Sequence, residues 1–308
     1  MKSRIFGKKI TLAVLVGILT LSLAACSGKN NATNNTADAN AKEDTKTEAS
    51  AEGAINAITR EQGSGTRSAF TEITGVMEKD ADGNEVDNTS EELSVQNSTN
   101  AVLTAVSNDE NAIGYISLGS LNDTVKALKV EGVEADHDKV KSGDYKIARP
   151  FNLVYKSDLD PAAQDLIDFI MSDEGQEIVS NEGYVGDPQG KKYEGSGSTA
   201  HLTIAGSTSV TPLMEKLIEG YKKYNPDFQG DIQATGSSAG VKAAQDGSAQ
   251  IGMASREIKP EETGVEKLVI AMDGIAVIVN NDSLVEDLTI EQIKDIFTGK
   301  ITDWSEIK

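Results

Sequence analysis

Short apolar runs alternate with amphipathic stretches from about residue 55 to the end of the chain. In the first half the pattern predicts strands at Ala57–Thr59, Ala112–Leu118, Val125–Val130 and Phe151–Tyr155, and helices at Ser68–Met77 and Asn100–Ser107. Pro161–Asn181 reads as one amphipathic helix, with Leu166, Ile167, Ile170, Ile178 and Val179 at helical spacing and Pro161 suited to its first turn. After a polar stretch the pattern restarts. Strands are predicted at Leu202–Ala205, Asp231–Ala234, Ile251–Ala254, Leu268–Ala271 and Ile275–Val279. Helices are predicted at Pro212–Tyr224, Val241–Gln245 and Ile290–Phe297, the last entered through Thr289. Strands alternating with helices imply an α/β fold with mainly parallel sheets.

The N-terminus follows neither period. Met1–Lys9 is basic, Ile10–Ala25 is apolar, and Leu23-Ala24-Ala25-Cys26 closes the run. This is the form of a secretory signal, and it resembles a bacterial lipobox in which Cys26 is lipidated. Cys26 is the only cysteine in the chain, so no internal disulfide can form. A single acyl anchor tethers a domain without spanning the membrane. Ser27–Gly53 has almost no large apolar residue and reads as a flexible tether. At 38% hydrophobic residues the remainder is long enough to bury a core.

Charge narrows the list of partners. Removing residues 1–25 takes away four basic residues, leaving 25 against 49 acidic and a net charge of −24. Such a surface repels nucleic acid and anionic headgroups. An anion site on it must work through local dipoles and hydrogen bonds.

Four places have the chemistry for that. Gln62–Thr66, Gly206–Thr211, Gly236–Ala239 and Ser255-Arg256 each follow a predicted strand and precede a helix or bend. Strand ends in open α/β sheets are where ligands bind, and helix starts offer unpaired N–H groups at the positive end of a dipole. Each turn alone is what ordinary capping would also produce, and none is a P-loop, since no Gly-Lys-Ser/Thr follows. Arg60 ends a strand six residues before Thr66. It is either a surface arginine paired with Glu61 or Glu72, or a fork that grips an oxyanion at two points. Arg67 falls in the first helical turn and points aside, as plain surface. His137, in an acidic loop, and His201, at a strand start, lack ligand-spaced partners, so neither a metal site nor another cofactor is expected. No nucleophile elbow appears.

At these turns the sequence resembles the phosphate-binding lipoproteins of high-affinity phosphate ABC importers, the PstS type. The matching stretches are GSTSVTPLMEKL, TGSSAGVKAA, QIGMASRE, IFTGKITDW, ITREQGSGTRSAF, NAIGYISLG and RPFNLVY, with a closing FIMSDEGQEIV and GYV. The resemblance implies a two-lobed binding protein of the type II periplasmic class, each lobe a mostly parallel sheet flanked by helices, with one dehydrated phosphate buried between the lobes. Carried over by motif, Arg60 is the arginine on the anion and Ser64, Gly65 and Thr66 are helix-start donors. Thr208, Ser209 and Val210 supply amides and hydroxyls, and Ser237 supplies a hydroxyl. Ser255 stands where some members carry an aspartate that accepts the proton of hydrogen phosphate. A hydroxyl there does not repel a fully deprotonated anion, which puts rejection of sulfate in doubt.

The order of the stretches departs from the family. GSTSVTPL ordinarily comes first, and GSGTRSAF follows the IFTGKITDW region. Here residues 54–190 correspond to the family's C-terminal half, 191–199 are a Gly/Ser linker, and 200–308 correspond to the N-terminal half. This is the pattern of a circular permutation, with a fragment of a longer tandem chain as the alternative. One lobe is then expected from about 200–278 plus 150–190, the other from about 54–149 plus 279–308. The expected function is that of a monomeric, lipid-anchored protein on the extracellular face of the cell membrane, touching the membrane through its lipid alone. It captures inorganic phosphate and hands it to an ABC permease and ATPase, and is not an enzyme. The rivals are a binder of sulfate or molybdate, a phosphate sensor or adhesion protein with no transport role, and a phosphate-ester hydrolase.

Overall fold

The structure, a computed structural model, describes residues 51–82, 84–195 and 200–307. The expected signal segment 1–25, Cys26, the tether up to residue 50 and linker residues 196–199 lie outside the described residues. No helix among the described residues is long and apolar enough to cross a membrane.

The chain begins with β1 (Asn56–Arg60), α1 (Gly65–Thr74), a hairpin of β2 (Met77–Lys79) and β3 (Glu85–Asp87), β4 (Ser94–Gln96), α2 (Thr99–Ser107) and β5 (Ala112–Ser117). Short strands β6 (Lys126–Ala127) and β7 (Lys129–Val130) and helix α3 (His137–Ser142) follow, then β8 (Ala148–Tyr155), α4 (Pro161–Ile170) and α5 (Asp173–Asn181). Beyond the linker come β9 (His201–Gly206), α6 (Thr211–Tyr221), β10 (Gln229–Ala234), α7 (Ser237–Asp246) and β11 (Ile251–Ala254). The chain closes with β12 (Glu266–Val279), β13 (Asp287–Leu288) and α8 (Ile290–Phe297).

One nine-stranded sheet runs through the molecule in the order β10-β9-β11-β8-β12-β5-β1-β4, with β6 also on β12. The parallel pairs lie on its flanks, β10 with β9 and β9 with β11 on one side, β5 with β1 and β1 with β4 on the other. Between them β8 and β12 run antiparallel to each other and to β11 and β5. Leu268–Ala271 and Ile275–Val279, expected as two strands, form one 14-residue strand with an irregularity between Val269 and Ala271. Asp273-Gly274, which reads as a break, is carried through because both residues pair with β8.

Two large cores share that strand. One gathers Phe151–Tyr184 with Leu202–Ala271, and the other gathers Ala57–Ile147 with Ile275–Trp304. The lobe boundary therefore falls at residues 272–275 of β12 rather than at 278. The first lobe packs α4, α5 and α6 on its sheet and the second packs α1 and α8.

Three local features differ from the pattern reading. The expected helix Pro161–Asn181 is two helices, because Ser172 leaves the helix and accepts from Gly175 N to cap α5. The hydrophobic stripe continues across the break because both helices pack on the same core. His137 heads α3 rather than lying in a loop, and its Nε2 shares a hydrogen bond with the Tyr184 carbonyl at 2.8 Å. The linker is pinned at its near end. Lys191 O accepts from Asp173 N, Tyr193 OH donates to Asp165, and the Tyr193 ring stands edge-on to Phe169, Tyr221 and Tyr224. Asp165 also accepts from Tyr221 OH at 2.6 Å. Polar composition suggested a free connector, but one tyrosine is enough to dock it.

At the other join, Ile55 N donates to Thr302 O and Trp304 N to Gly53 O, so the start and end of the described fold lie side by side. If Tyr193 fastens the linker to its lobe, Tyr193→Ala should cost about 2 kcal/mol. That is a fall in melting temperature of roughly 4–8 °C for a domain of this size. A thermal scan showing a shift of less than 1 °C would contradict the docking.

Candidate anion-binding site

The first lobe brings three turns to one edge. β9 ends at Gly206, whose φ is +141° and whose place a Cβ could not occupy, since it would sit 2.2 Å from the Met253 carbonyl. That glycine lets β9 pass against β11 and leads into the turn Ser207–Val210. Ser207 Oγ accepts from Ser209 N and Val210 N at 3.2 and 3.4 Å and donates to Ser255 Oγ at 2.9 Å. Val210 is the N-cap residue of α6, with its side chain in the core. After β10, Gly236 turns the chain into α7, where Ser237 Oγ accepts from Ser255 N at 3.1 Å. Arg256 lies beside this group, with Nη2 donating to Ser238 Oγ at 3.3 Å. It forks onto Glu262 at 2.7 and 2.8 Å, and this bond with that from Lys259 N outweighs burial to hold the Glu262 carboxyl below its usual range.

The second lobe contributes β1 and the turn after it. Arg60 is buried at the strand end. Its N–H donates to Tyr115 OH, which also shares a hydrogen bond with Thr59 at 2.7 Å. The guanidinium donates to both oxygens of Glu61 at 2.8 and 2.9 Å, to Gln96 O, and across the cleft to Thr208 Oγ1 at 3.1 Å. Arg60 is paired with Glu61, as one sequence reading has it, but it is buried rather than on the surface and reaches Thr208 across the cleft. Ser64 Oγ caps α1 by accepting from Arg67 N. Arg67 corrects the expectation of plain surface. It is largely buried and braces the turn, with Nη1 on the Arg60 carbonyl at 2.9 Å and Nη2 on Asp87 at 2.6 Å. Burial works against ionisation of Asp87, but hydrogen bonds from Thr89 and Arg67 overcome it and keep the carboxyl below its usual range.

The two sides meet through hydroxyls. Thr66 Oγ1 lies 2.8 Å from Ser209 Oγ, Thr99 Oγ1 lies 3.2 Å from the same oxygen, and Ser238 N donates to Gly63 O at 3.2 Å. At the rim Lys259 pairs with Glu85 of the hairpin at 3.2 Å. Gly65 makes the close approach possible. A Cβ there would stand 2.3 Å from Ser237 Oγ and 2.8 Å from Ser255 Oγ. All nine residues singled out for the anion, Arg60, Ser64, Gly65, Thr66, Thr208, Ser209, Val210, Ser237 and Ser255, lie in these converging turns. Ser64 and Val210 serve there as helix caps, and Cys26 lies outside the described residues. Ser207 and Thr99 belong to the cluster and were not singled out. Ser207 was hidden among neighbouring hydroxyls of its own turn. Thr99 carried a signal, since Ser98 caps α2 through Ala101 N.

The starts of α1, α2, α6 and α7 therefore converge on one buried, hydroxyl-lined spot beside a guanidinium. Four helix N-termini and one fork-shaped cation make a place for an anion.

Comparison with known proteins shows the family of the chain. A PBP superfamily domain matches residues 7–174 and 192–307. Phosphate-binding protein PstS 2 of Streptococcus pneumoniae serotype 4 is 45% identical over 305 residues, 98% of this chain and 99% of its own. The chain belongs to the PBP superfamily, in its PstS family. PstS 2 of Streptococcus agalactiae serotype V is 50% identical over 261 residues, 84% of this chain and 89% of its own. A crystal structure of a phosphate-binding protein of a phosphate ABC transporter from Streptococcus pneumoniae is 48% identical. It covers 83% of this chain and all of its own, with a TM-score of 0.67. The alignment with pneumococcal PstS 2 spans nearly all of both chains, so that protein has the same order of segments.

Gly65 has no positive φ, so an alanine there strains no backbone. Its Cβ must nevertheless push Ser237 and Ser255 away, so Gly65→Ala should lower the melting temperature by several degrees and weaken binding of inorganic phosphate, the anion these relatives are named for, at least tenfold by calorimetry. An affinity within twofold of the parent would mean the close approach of Gly65 to Ser237 is not needed for capture.

Proposed function

We propose that the chain is a phosphate-binding component of an ABC importer. It captures one inorganic phosphate between its lobes and is not itself an enzyme. The observation that carries this reading is the convergence of four helix starts and Arg60 on one buried spot in a member of the PstS family. On a chain with a formal charge of −20, long-range attraction cannot gather the anion. Short-range donors must hold it instead. Charge-assisted hydrogen bonds contribute roughly 1.5–3 kcal/mol each, and micromolar affinity needs about 8 kcal/mol net. Arg60, the hydroxyls of Thr66, Ser209, Ser237 and Ser255, and the amides at the helix starts are the proposed donors. The lobes close on the anion about β8 and β12, the two strands that pass between them. Delivery to a permease and ATPase is proposed by analogy with the PstS relatives, and the protein is proposed to act as a monomer.

The segment order is read as a circular permutation. Its support is the pairing of Gly53–Ile55 with Thr302–Trp304, which places the two ends where a continuous chain would turn. The anchor reading rests on the signal-like residues 1–25 and the lipobox-like Leu23-Ala24-Ala25-Cys26. Cys26→Ser should abolish incorporation of labelled fatty acid into the protein; labelling that persists would contradict lipidation there.

Selectivity has a second reading. Ser255 presents a hydroxyl where an acceptor carboxylate would exclude sulfate, and Glu61, the carboxylate on Arg60, is taken up by the guanidinium. Calorimetry with phosphate, sulfate and molybdate separates the cases. Phosphate should bind at micromolar Kd or better and at least 100-fold tighter than sulfate; equal or tighter sulfate binding would overturn the assignment. In the same assay Arg60→Ala should weaken phosphate more than 100-fold, and a loss below tenfold would contradict the role of Arg60.

A further inference from the structure

The strands that cross between the lobes carry a buried ion pair to which the sequence reading gave no role. Arg149 of β8 and Asp273 of β12 stand directly opposite in the antiparallel register, and both are buried. Arg149 Nη2 donates to Asp273 Oδ2 at 3.1 Å, and Nη1 donates to the main-chain carbonyl of Ser255, also at 3.1 Å. The other Asp273 oxygen, Oδ1, accepts from Gly119 N at 3.4 Å, just past the end of β5. The Arg149 guanidinium lies 5.4 Å from the centre of the Phe151 ring, and its Nε has no partner. One pair therefore touches a site turn of the first lobe, both crossing strands, and the exit of a second-lobe strand.

A buried ion pair is a costly way to fill space. Two apolar side chains of similar volume commonly stabilise as much or more. What apolar side chains cannot supply is a directed bond to the Ser255 carbonyl at one end and to the Gly119 amide at the other. Burial pushes Asp273 up and Arg149 down from their usual ranges, and the charge of Arg60 adds to the lowering at Arg149.

We propose that Arg149 is a positioning residue for anion capture. Through Ser255 it fixes the first-lobe turn to the crossing strands, and through Asp273 it ties that turn to Gly119 in the second lobe. Closing the lobes and setting the Ser255 turn are then one event. The proposal rests on the reading of this cleft as a phosphate site; the wild-type titration in the same series tests phosphate capture separately.

Three measurements test the coupling. Arg149→Lys keeps the charge but cannot span Asp273 and the Ser255 carbonyl together. Its melting temperature should stay within a few degrees of wild type while phosphate affinity falls at least tenfold. The double variant Arg149→Met with Asp273→Leu leaves no uncompensated charge and should fold with a similar loss of affinity. In the wild-type protein, hydrogen exchange at the Gly119 amide should slow on addition of phosphate, although Gly119 is outside the anion cluster. If either variant folded and bound phosphate within twofold of wild type, the pair would be structural only. If wild type bound phosphate but Gly119 exchange did not change, the link to the second lobe would be refuted whether or not the variants fold.

Discussion

The structure depends on one close approach, that of Gly65 at the start of α1 to Ser237 and Ser255 across the cleft. No side chain fits between them. This lets the N-terminus of α1 reach the N-termini of α6 and α7 with only hydroxyls and amides facing inward. Around that point the other features are supports. Ser64 caps α1, Arg67 ties the turn to the Arg60 carbonyl, and Gly206 lets β9 come up against β11. A protein with so large an excess of acidic residues can hold an anion only where local dipoles outweigh the field of its surface. Burial of the cluster strengthens each such dipole.

The two lobes are joined more firmly than a pair of linkers would allow. β12 serves both cores, and the sheet is continuous from β10 to β4. The antiparallel pair β8 and β12 carries the connection, and the buried Arg149–Asp273 contact lies on it. Motion of the lobes must therefore twist these strands, and what is bonded to them moves as well.

Much of this was legible in the sequence, for physical reasons that differ from element to element. Ile251–Ala254 and Ile290–Phe297 have the bounds that the pattern predicts, because an apolar run between polar turns and a helix behind a Thr289 cap leave little choice. The four turns were legible because Gly, Ser and Thr at strand ends do one kind of work. The break at Ser172 was not, since both helices present the same apolar stripe to one core. The single strand β12 was hidden by Asp273-Gly274, which reads as a turn until the burial of Asp273 against Arg149 is known. Arg67 looked like surface because helical phase gave its direction but not the hairpin that covers it. Thr99 and Ser207 were missed because nothing in one sequence says which of many hydroxyls will meet.

The most direct test is a crystal structure of the protein grown with phosphate. The account predicts one phosphate between the lobes, with oxygens about 2.7–3.1 Å from the Arg60 guanidinium and from the hydroxyls of Thr66, Ser209 and Ser237. A phosphate bound elsewhere, or one touching a single lobe without Arg60, would contradict it.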